Sequence, residues 1–257
     1  MRAPTILLTL PLLVACAAPS GPPETPREER LPQPPLLETF QLPVDWDARS
    51  PAEFEAFVLE RLPEDARVLL EEPTLEELSR ALDREDQSSV RAAVLLGRAR
   101  TEGAGNVLFR RLAKRVVPSS RPADAGDVVA AAALARFPRP ERWWRIVRLV
   151  DGANPHPDLE VRVECAATAL HMGFDQVIPF LLQVLRIDTW DGRADQLDFV
   201  PGDHTAWARG RAAEALSTRA GIPLTYRFDG PIADREHEAR RLASLLRKAA
   251  ETAVRIE

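Results

Sequence analysis

Ala92-Ala93-Val94-Leu95-Leu96, Ala130-Ala131-Ala132-Ala133-Leu134, Ala166-Ala167-Thr168-Ala169-Leu170 and Ala212-Ala213-Glu214-Ala215-Leu216 are four forms of one phrase, spaced 38, 36 and 46 residues apart. Each sets two small residues side by side, with a leucine four positions after the first. On an α-helix positions i and i+4 share a face. Each phrase therefore makes a low ridge that admits a second helix closely, and a leucine that interlocks with it. The first three phrases are each followed by a break and a second apolar segment: Val107-Leu108-Phe109 to Leu112, Trp143-Trp144 to Val150, and Val177-Ile178-Pro179-Phe180 to Leu185. Leu96 and Leu112, Leu134 and Leu149, and Leu170 and Leu185 stand 16, 15 and 15 positions apart. A recurring helix–break–helix unit of this length is the pattern of an α-solenoid, whose units contact chiefly their neighbours. Ala93, Ala131, Ala167 and Ala213 are then expected at equivalent buried positions.

On the N-terminal side, Ser50-Pro51-Ala52-Glu53 reads as a capping box with proline in the first turn. Phe54, Phe57, Val58 and Leu62 follow it at helical spacing. Thr74-Leu75-Glu76-Glu77 reads as a second box, opening a helix with Leu75, Leu78 and Leu82 on one face. On the C-terminal side, the longer last interval falls in an insertion from Asp188 to His204. After the fourth phrase, Gly221-Ile222-Pro223-Leu224-Thr225-Tyr226 reads as a non-helical crossing. Asp234 is expected to cap a long, charged terminal helix through Leu242, Leu245, Leu246 and Ala250, since end repeats need a polar outer face.

Leu78-Ser79-Arg80-Ala81-Leu82-Asp83, followed by Val90-Arg91-Ala92-Ala93 and Leu96-Gly97, resembles the junction between two HEAT repeats. Asp158-Leu159-Glu160-Val161-Arg162, with Ala166-Ala167 and Leu170, repeats the same Asp-x-x-Val-Arg theme. The likeness covers residues 74–220. Val90-Arg91 stands closer to its alanine pair than Val161-Arg162 does, which leaves the register inside individual helices open. The resemblance implies an all-α fold over 50–257: a right-handed α-solenoid of antiparallel helix pairs, with second helices lining the concave side.

The N-terminus has Arg2, then about ten apolar residues. That run is too short to span a bilayer, which takes about 20, but it has the length and order of a secretory h-region. Leu13-Val14-Ala15-Cys16 resembles the bacterial lipobox. The resemblance implies cleavage of residues 1–15 and acylation of Cys16, and a chain anchored this way stays on a membrane when it carries two or more acyl chains. Ala17, where an Asp would favour inner-membrane retention in enterobacteria, points to the periplasmic face of the outer membrane. Residues 16–49 are rich in proline and keep no period, so a disordered or polyproline-like tether is expected. The apolar Leu36, Leu37, Phe40, Leu42 and Trp46 suit docking of its end on the first helices. Lipidation of Cys16 leaves Cys165 alone, which excludes a disulfide framework.

A formal charge of −5 argues against general nucleic-acid binding. His156, His171, His204 and His237 show no metal-ligand spacing, and neither a phosphate-binding glycine loop nor a nucleophile elbow is present. His171 and Cys165 adjoin apolar core positions and read as packing residues. Five aspartates in the insertion, from Asp188 to Asp203, do not match the spacing of a calcium loop. No cofactor, metal or small-molecule substrate is therefore expected, and the chain is not expected to be an enzyme. Residues marked as candidate partner contacts are Arg111, Arg142, Arg145 and Arg148 on the second helices, three of them three apart, and Trp190 in the insertion. The functional expectation is a membrane-anchored, non-catalytic scaffold that binds a protein partner, with an accessory subunit or enzyme of the cell envelope as the alternative.

Overall fold

The computed structural model of the chain describes residues 36–63, 67–84, 86–114, 125–137, 143–187, 201–228 and 230–254. The expected leader, Cys16, the tether up to residue 35, Arg142, and residues 188–200 with Trp190 lie outside them. The described residues are mostly helical. In chain order they form β1 (Leu36–Phe40), α1 (Pro51–Arg61), β2 (Arg67–Leu70), α2 (Glu72–Leu82), α3 (Gln87–Ala99), α4 (Glu102–Lys114), α5 (Ala125–Ala133), α6 (Trp143–Asp151), α7 (Leu159–His171), α8 (Ile178–Val184), α9 (Pro201–Ala220) and α10 (Ile232–Val254).

Local chemistry sets the helix ends. The Ser50 box is complete: the Glu53 amide donates to Ser50 Oγ, and the Ser50 amide donates to the Glu53 carboxylate at 2.9 Å. Asp86 and Asp158 accept from the Ser88 and Val161 amides at 2.8 and 3.1 Å and so start α3 and α7. α7 and α9 end on Gly173 (φ +89°) and Gly221 (φ +65°), which take the left-handed conformation that closes a Schellman motif. The amides of Gly173 and Phe174 return to the Leu170 and Ala169 carbonyls, and those of Gly221 and Ile222 to the Thr218 and Ser217 carbonyls. Two expected starts are displaced. α2 begins at Glu72, with Pro73 in its first turn, so Thr74 lies inside the helix rather than capping it. α10 begins at Ile232, so Asp234 sits in its first turn.

The four alanine phrases lie on α3, α5, α7 and α9, and these helices pack in file, α3 on α5, α5 on α7 and α7 on α9. Ala93, Ala131, Ala167 and Ala213 are all buried, as are the leucines of the phrases, Leu96, Leu134, Leu170 and Leu216. The approach is close. A methyl group added at Gly97 would lie 2.7 Å from the Ala133 Cβ. The Thr168 hydroxyl donates to the Ala131 carbonyl at 3.2 Å, tying α7 to α5. Arg211 forks onto both oxygens of the buried Glu164 at 2.7 and 3.2 Å, tying α9 to α7. The second helices rest on this file, α4 against α5, α6 against α7 and α8 against α9, with Leu112, Leu149 and Leu185 buried. α10 packs on α9.

The N-terminal end departs from an all-helical expectation. β1 and β2 form a two-stranded parallel sheet, pairing Leu36 with Arg67, Leu37 with Val68 and Phe40 with Leu70. Residues 36–49, expected in the tether, belong to the folded body. Phe40 is buried 5.8 Å from the Phe57 ring, and Trp46 is buried with its indole N–H donating to Glu77 at 2.9 Å. The buried Arg91 guanidinium donates to the carbonyls of Trp46, Asp47 and Arg49, stapling this turn onto α3. The proline content upstream masked the boundary. The body begins by Leu36 because two large aromatic side chains find a groove there.

Two stability predictions follow from these contacts. Gly97→Val should overpack α3 against α5 and cost about 1–3 kcal/mol in denaturant unfolding, whereas Glu214→Leu, at an exposed position of the fourth phrase, should stay within about 0.5 kcal/mol. Trp46→Ala should cost about 3–5 kcal/mol, and a loss below about 1 kcal/mol would show that residues 36–49 are dispensable to the fold.

Candidate functional site

The second helices carry the candidate cations, and the structure sorts them. Arg111 faces inward from α4 and is buried. Its Nε donates to Asp127 of α5 at 2.7 Å, and its Nη1 lies 3.3 Å from Asp83, the residue that ends α2. Asp127 is fully buried. Arg111 is therefore a tie between three helices and not a residue offered to a partner. Helical geometry explains the division, because Arg110 and Arg111 lie about 100° apart around the axis and only one can face the file.

Arg110, Arg145 and Arg148 are exposed. α4 and α6 meet where the Arg145 guanidinium stands 6.0 Å above the centre of the Phe109 ring. The Arg145–Arg148 pair, one turn apart on α6, thus borders the Phe109 side of α4, whereas Arg110 lies about 100° further round that helix, on the side where Lys114 meets Asp83. Lys114 at the end of α4 is also exposed, with its ammonium 3.2 Å from Asp83. The only acidic residues on α4 and α6 are Glu102 at one helix end and Asp151 at the other.

Other arginines serve backbone. Arg162 donates to the Val150 carbonyl at 2.8 Å, at the end of α6, and stacks 4.6 Å from the Phe180 ring. Burial lowers its guanidinium pKa, against the raising effect of Asp151. Arg209 donates to the Phe228 and Ile187 carbonyls, and Arg235 to the Gly230 and Ile187 carbonyls. Sequence reasoning missed these roles. Arg162 between Val161 and Val163, and Arg209 between Ala208 and Gly210, carried a signal in their apolar and small neighbours, whereas Arg235 between Asp234 and Glu236 carried none.

Cys165 is buried in α7, and burial, with Glu164 beside it, pushes its thiol well above the ordinary range, so the thiolate that chemistry would need is suppressed. His156 is buried, with Nδ1 accepting from the Asp158 amide at 3.1 Å. His171, expected among packing residues, is exposed at the last position of α7. Among the described residues no group of three or more His, Cys, Asp or Glu side chains is placed to hold a metal ion, and no helix is long and apolar enough to cross a membrane. An open recess of about 500 Å³ lies beside Asp45, Arg49, Glu53, Phe57 and Glu60. Arg49 stacks 4.5 Å from the Phe57 ring there. Exposed apolar side chains lie elsewhere, notably Trp207 on α9 and Phe228 and Ile232 near the start of α10.

In comparisons with known proteins, no family model, no curated protein and no solved structure matches the chain.

The two kinds of arginine should separate experimentally. Arg111→Met removes the guanidinium that meets the buried Asp127 carboxylate at 2.7 Å and should cost about 3–5 kcal/mol, while Arg148→Ala should change stability by no more than about 0.5 kcal/mol. Cys165 should resist a thiol reagent in the folded chain and react at the unfolding rate; immediate labelling would place it at the surface.

Proposed function

We propose that the chain is a non-catalytic interaction module of the cell envelope, held on a membrane by lipid on Cys16 and presenting a HEAT-like, right-handed α-solenoid to a protein partner. The observation that carries this reading is the file of small-residue helices α3, α5, α7 and α9 with a second row of helices on its flank. Such arrays offer extended surfaces for binding. The exposed Arg145 and Arg148 of α6 support a polar binding face on that flank. The Leu13-Val14-Ala15-Cys16 lipobox-like segment, after its short apolar run, supports the anchor, and Ala17 supports the outer membrane's periplasmic face.

Affinity capture from detergent-solubilised membranes tests the interaction. A stoichiometric protein partner is expected, and its absence under gentle solubilisation and at low salt would remove the scaffold reading. Cys16→Ala tests the anchor separately. The variant should keep its leader and fail to incorporate labelled fatty acid; a variant that is processed and acylated as the wild-type chain would eliminate Cys16 as the attachment site.

A further inference from the structure

We propose that residues 36–49 form a releasable strap, latched by Arg91, which opens as one unit while the helices stay folded, so that the anchored chain has a short leash and a long one. The leash lengths rest on the lipid anchor just proposed; the opening itself does not. The strap is bounded on both sides. Upstream it starts at β1, whose principal neighbour is β2, and a two-stranded pair is marginal by itself. Its register also shifts between Leu37 and Phe40. Downstream, α1 begins with the Ser50–Glu53 capping box, both bonds of which lie within residues 50–53. Departure of residues 36–49 therefore leaves the start of α1 intact.

The polar fasteners cluster at one turn. The Trp46 indole N–H donates to Glu77 of α2 at 2.9 Å, and the Asp47 carboxylate meets Arg84 at 3.2 Å. The rest is Arg91. From α3 its guanidinium donates to the carbonyls of Trp46, Asp47 and Arg49 at 3.5, 2.7 and 2.6 Å, and it lies 5.1 Å from the centre of the Phe54 ring. Arg91 is buried, yet its hydrogen-bond acceptors are all strap carbonyls, and among the described residues no carboxylate pairs with it. A buried charge is costly unless it is paired and hydrogen-bonded. The docked strap offers it three oxygens; when the strap leaves, water takes their place. The hydration that Arg91 regains offsets part of the cost of exposing Phe40 and Trp46. Opening is thus a local event of lower free energy than global unfolding. On a lipidated chain, tension enters the body at Leu36 and loads the strap before any helix. Release lengthens the leash from the twenty residues 16–35 to the thirty-four residues 16–49.

Hydrogen exchange resolved by segment, on the full chain in a neutral detergent and at low denaturant concentrations, tests the strap. The reporters are the Trp46 and Ala48 amides, bonded to the Pro43 and Asp45 carbonyls at 3.2 and 3.1 Å, and the amides of the β1–β2 ladder. They should exchange together, with a weaker denaturant dependence than the amides of α5, α7 and α9, because opening the strap exposes less surface than unfolding the chain. Arg91→Lys keeps the charge and loses the fork. It should speed exchange of the reporters by about tenfold or more and leave α5, α7 and α9 unchanged. Reporters that exchange only together with the helical file, at the same rate and with the same denaturant dependence, would overturn the proposal. Acceleration of strap and file alike by Arg91→Lys would overturn it too, since Arg91 would then be a staple of the whole fold. If the lysine variant fails to fold, the denaturant dependence of the wild-type chain decides alone. The exchange is read without a membrane, so failure of the anchor reading would leave every one of these outcomes unchanged.

Discussion

Helices clothed in bulky side chains stand roughly 8–10 Å apart, and this fold depends on lowering that separation along one file. Alanine, glycine and threonine occupy the faces where α3, α5, α7 and α9 meet, and the Gly97–Ala133 contact shows how little room remains. Close approach has a chemical consequence. Polar groups caught between the helices must be satisfied there, as the Thr168 hydroxyl is by the Ala131 carbonyl and Glu164 is by Arg211. The larger apolar residues are displaced to the flank, where Leu112, Leu149 and Leu185 of the second segments fill the hollows.

Arginine is the second recurring device. A helix leaves its last carbonyls without intrahelical donors, and chain segments that cross the body leave more. Arg91, Arg162, Arg209 and Arg235 each reach such oxygens and are fully or largely withdrawn from solvent. Their donors are several and rigidly arranged, so one residue can hold a whole turn, as Arg91 does with residues 46–49. Tyr226, the chain's single tyrosine, does the same from the crossing, donating to the Leu185 carbonyl at 2.7 Å.

The alanine phrases were legible because a steric limit restricts residue type directly, and the Ser50 box because its three-residue spacing is the interaction itself. The start of the body was not legible. Phe40 and Trp46 owe their burial to α1, α2 and β2, which follow them in the chain, and strand pairing between Leu36–Phe40 and Arg67–Leu70 leaves no local period in a proline-rich setting. The Thr74 box failed because Pro73 is itself a good first-turn residue and moved the start upstream. Among the arginines, residue type cannot tell Arg110 from Arg111. One faces water and one meets a buried carboxylate, and only the phase of α4 distinguishes them. His171 shows the same limit, one position beyond the last buried leucine of α7.

The stapling of residues 36–49 onto the body alters the working radius of an anchored molecule. With the acyl chains on Cys16, as proposed, the leash comprises the twenty residues 16–35 and not all of 16–49. A chain segment spans at most about 3.6 Å per residue, so a lipid on Cys16 would limit the body to within about 70 Å of the membrane attachment. Volume swept scales with the cube of that radius, and the shortening reduces it about fivefold, raising by the same factor the effective concentration seen by a partner within range. On the proposed anchor, the burial of Phe40 and Trp46 would set how far from the membrane the helical surface could work.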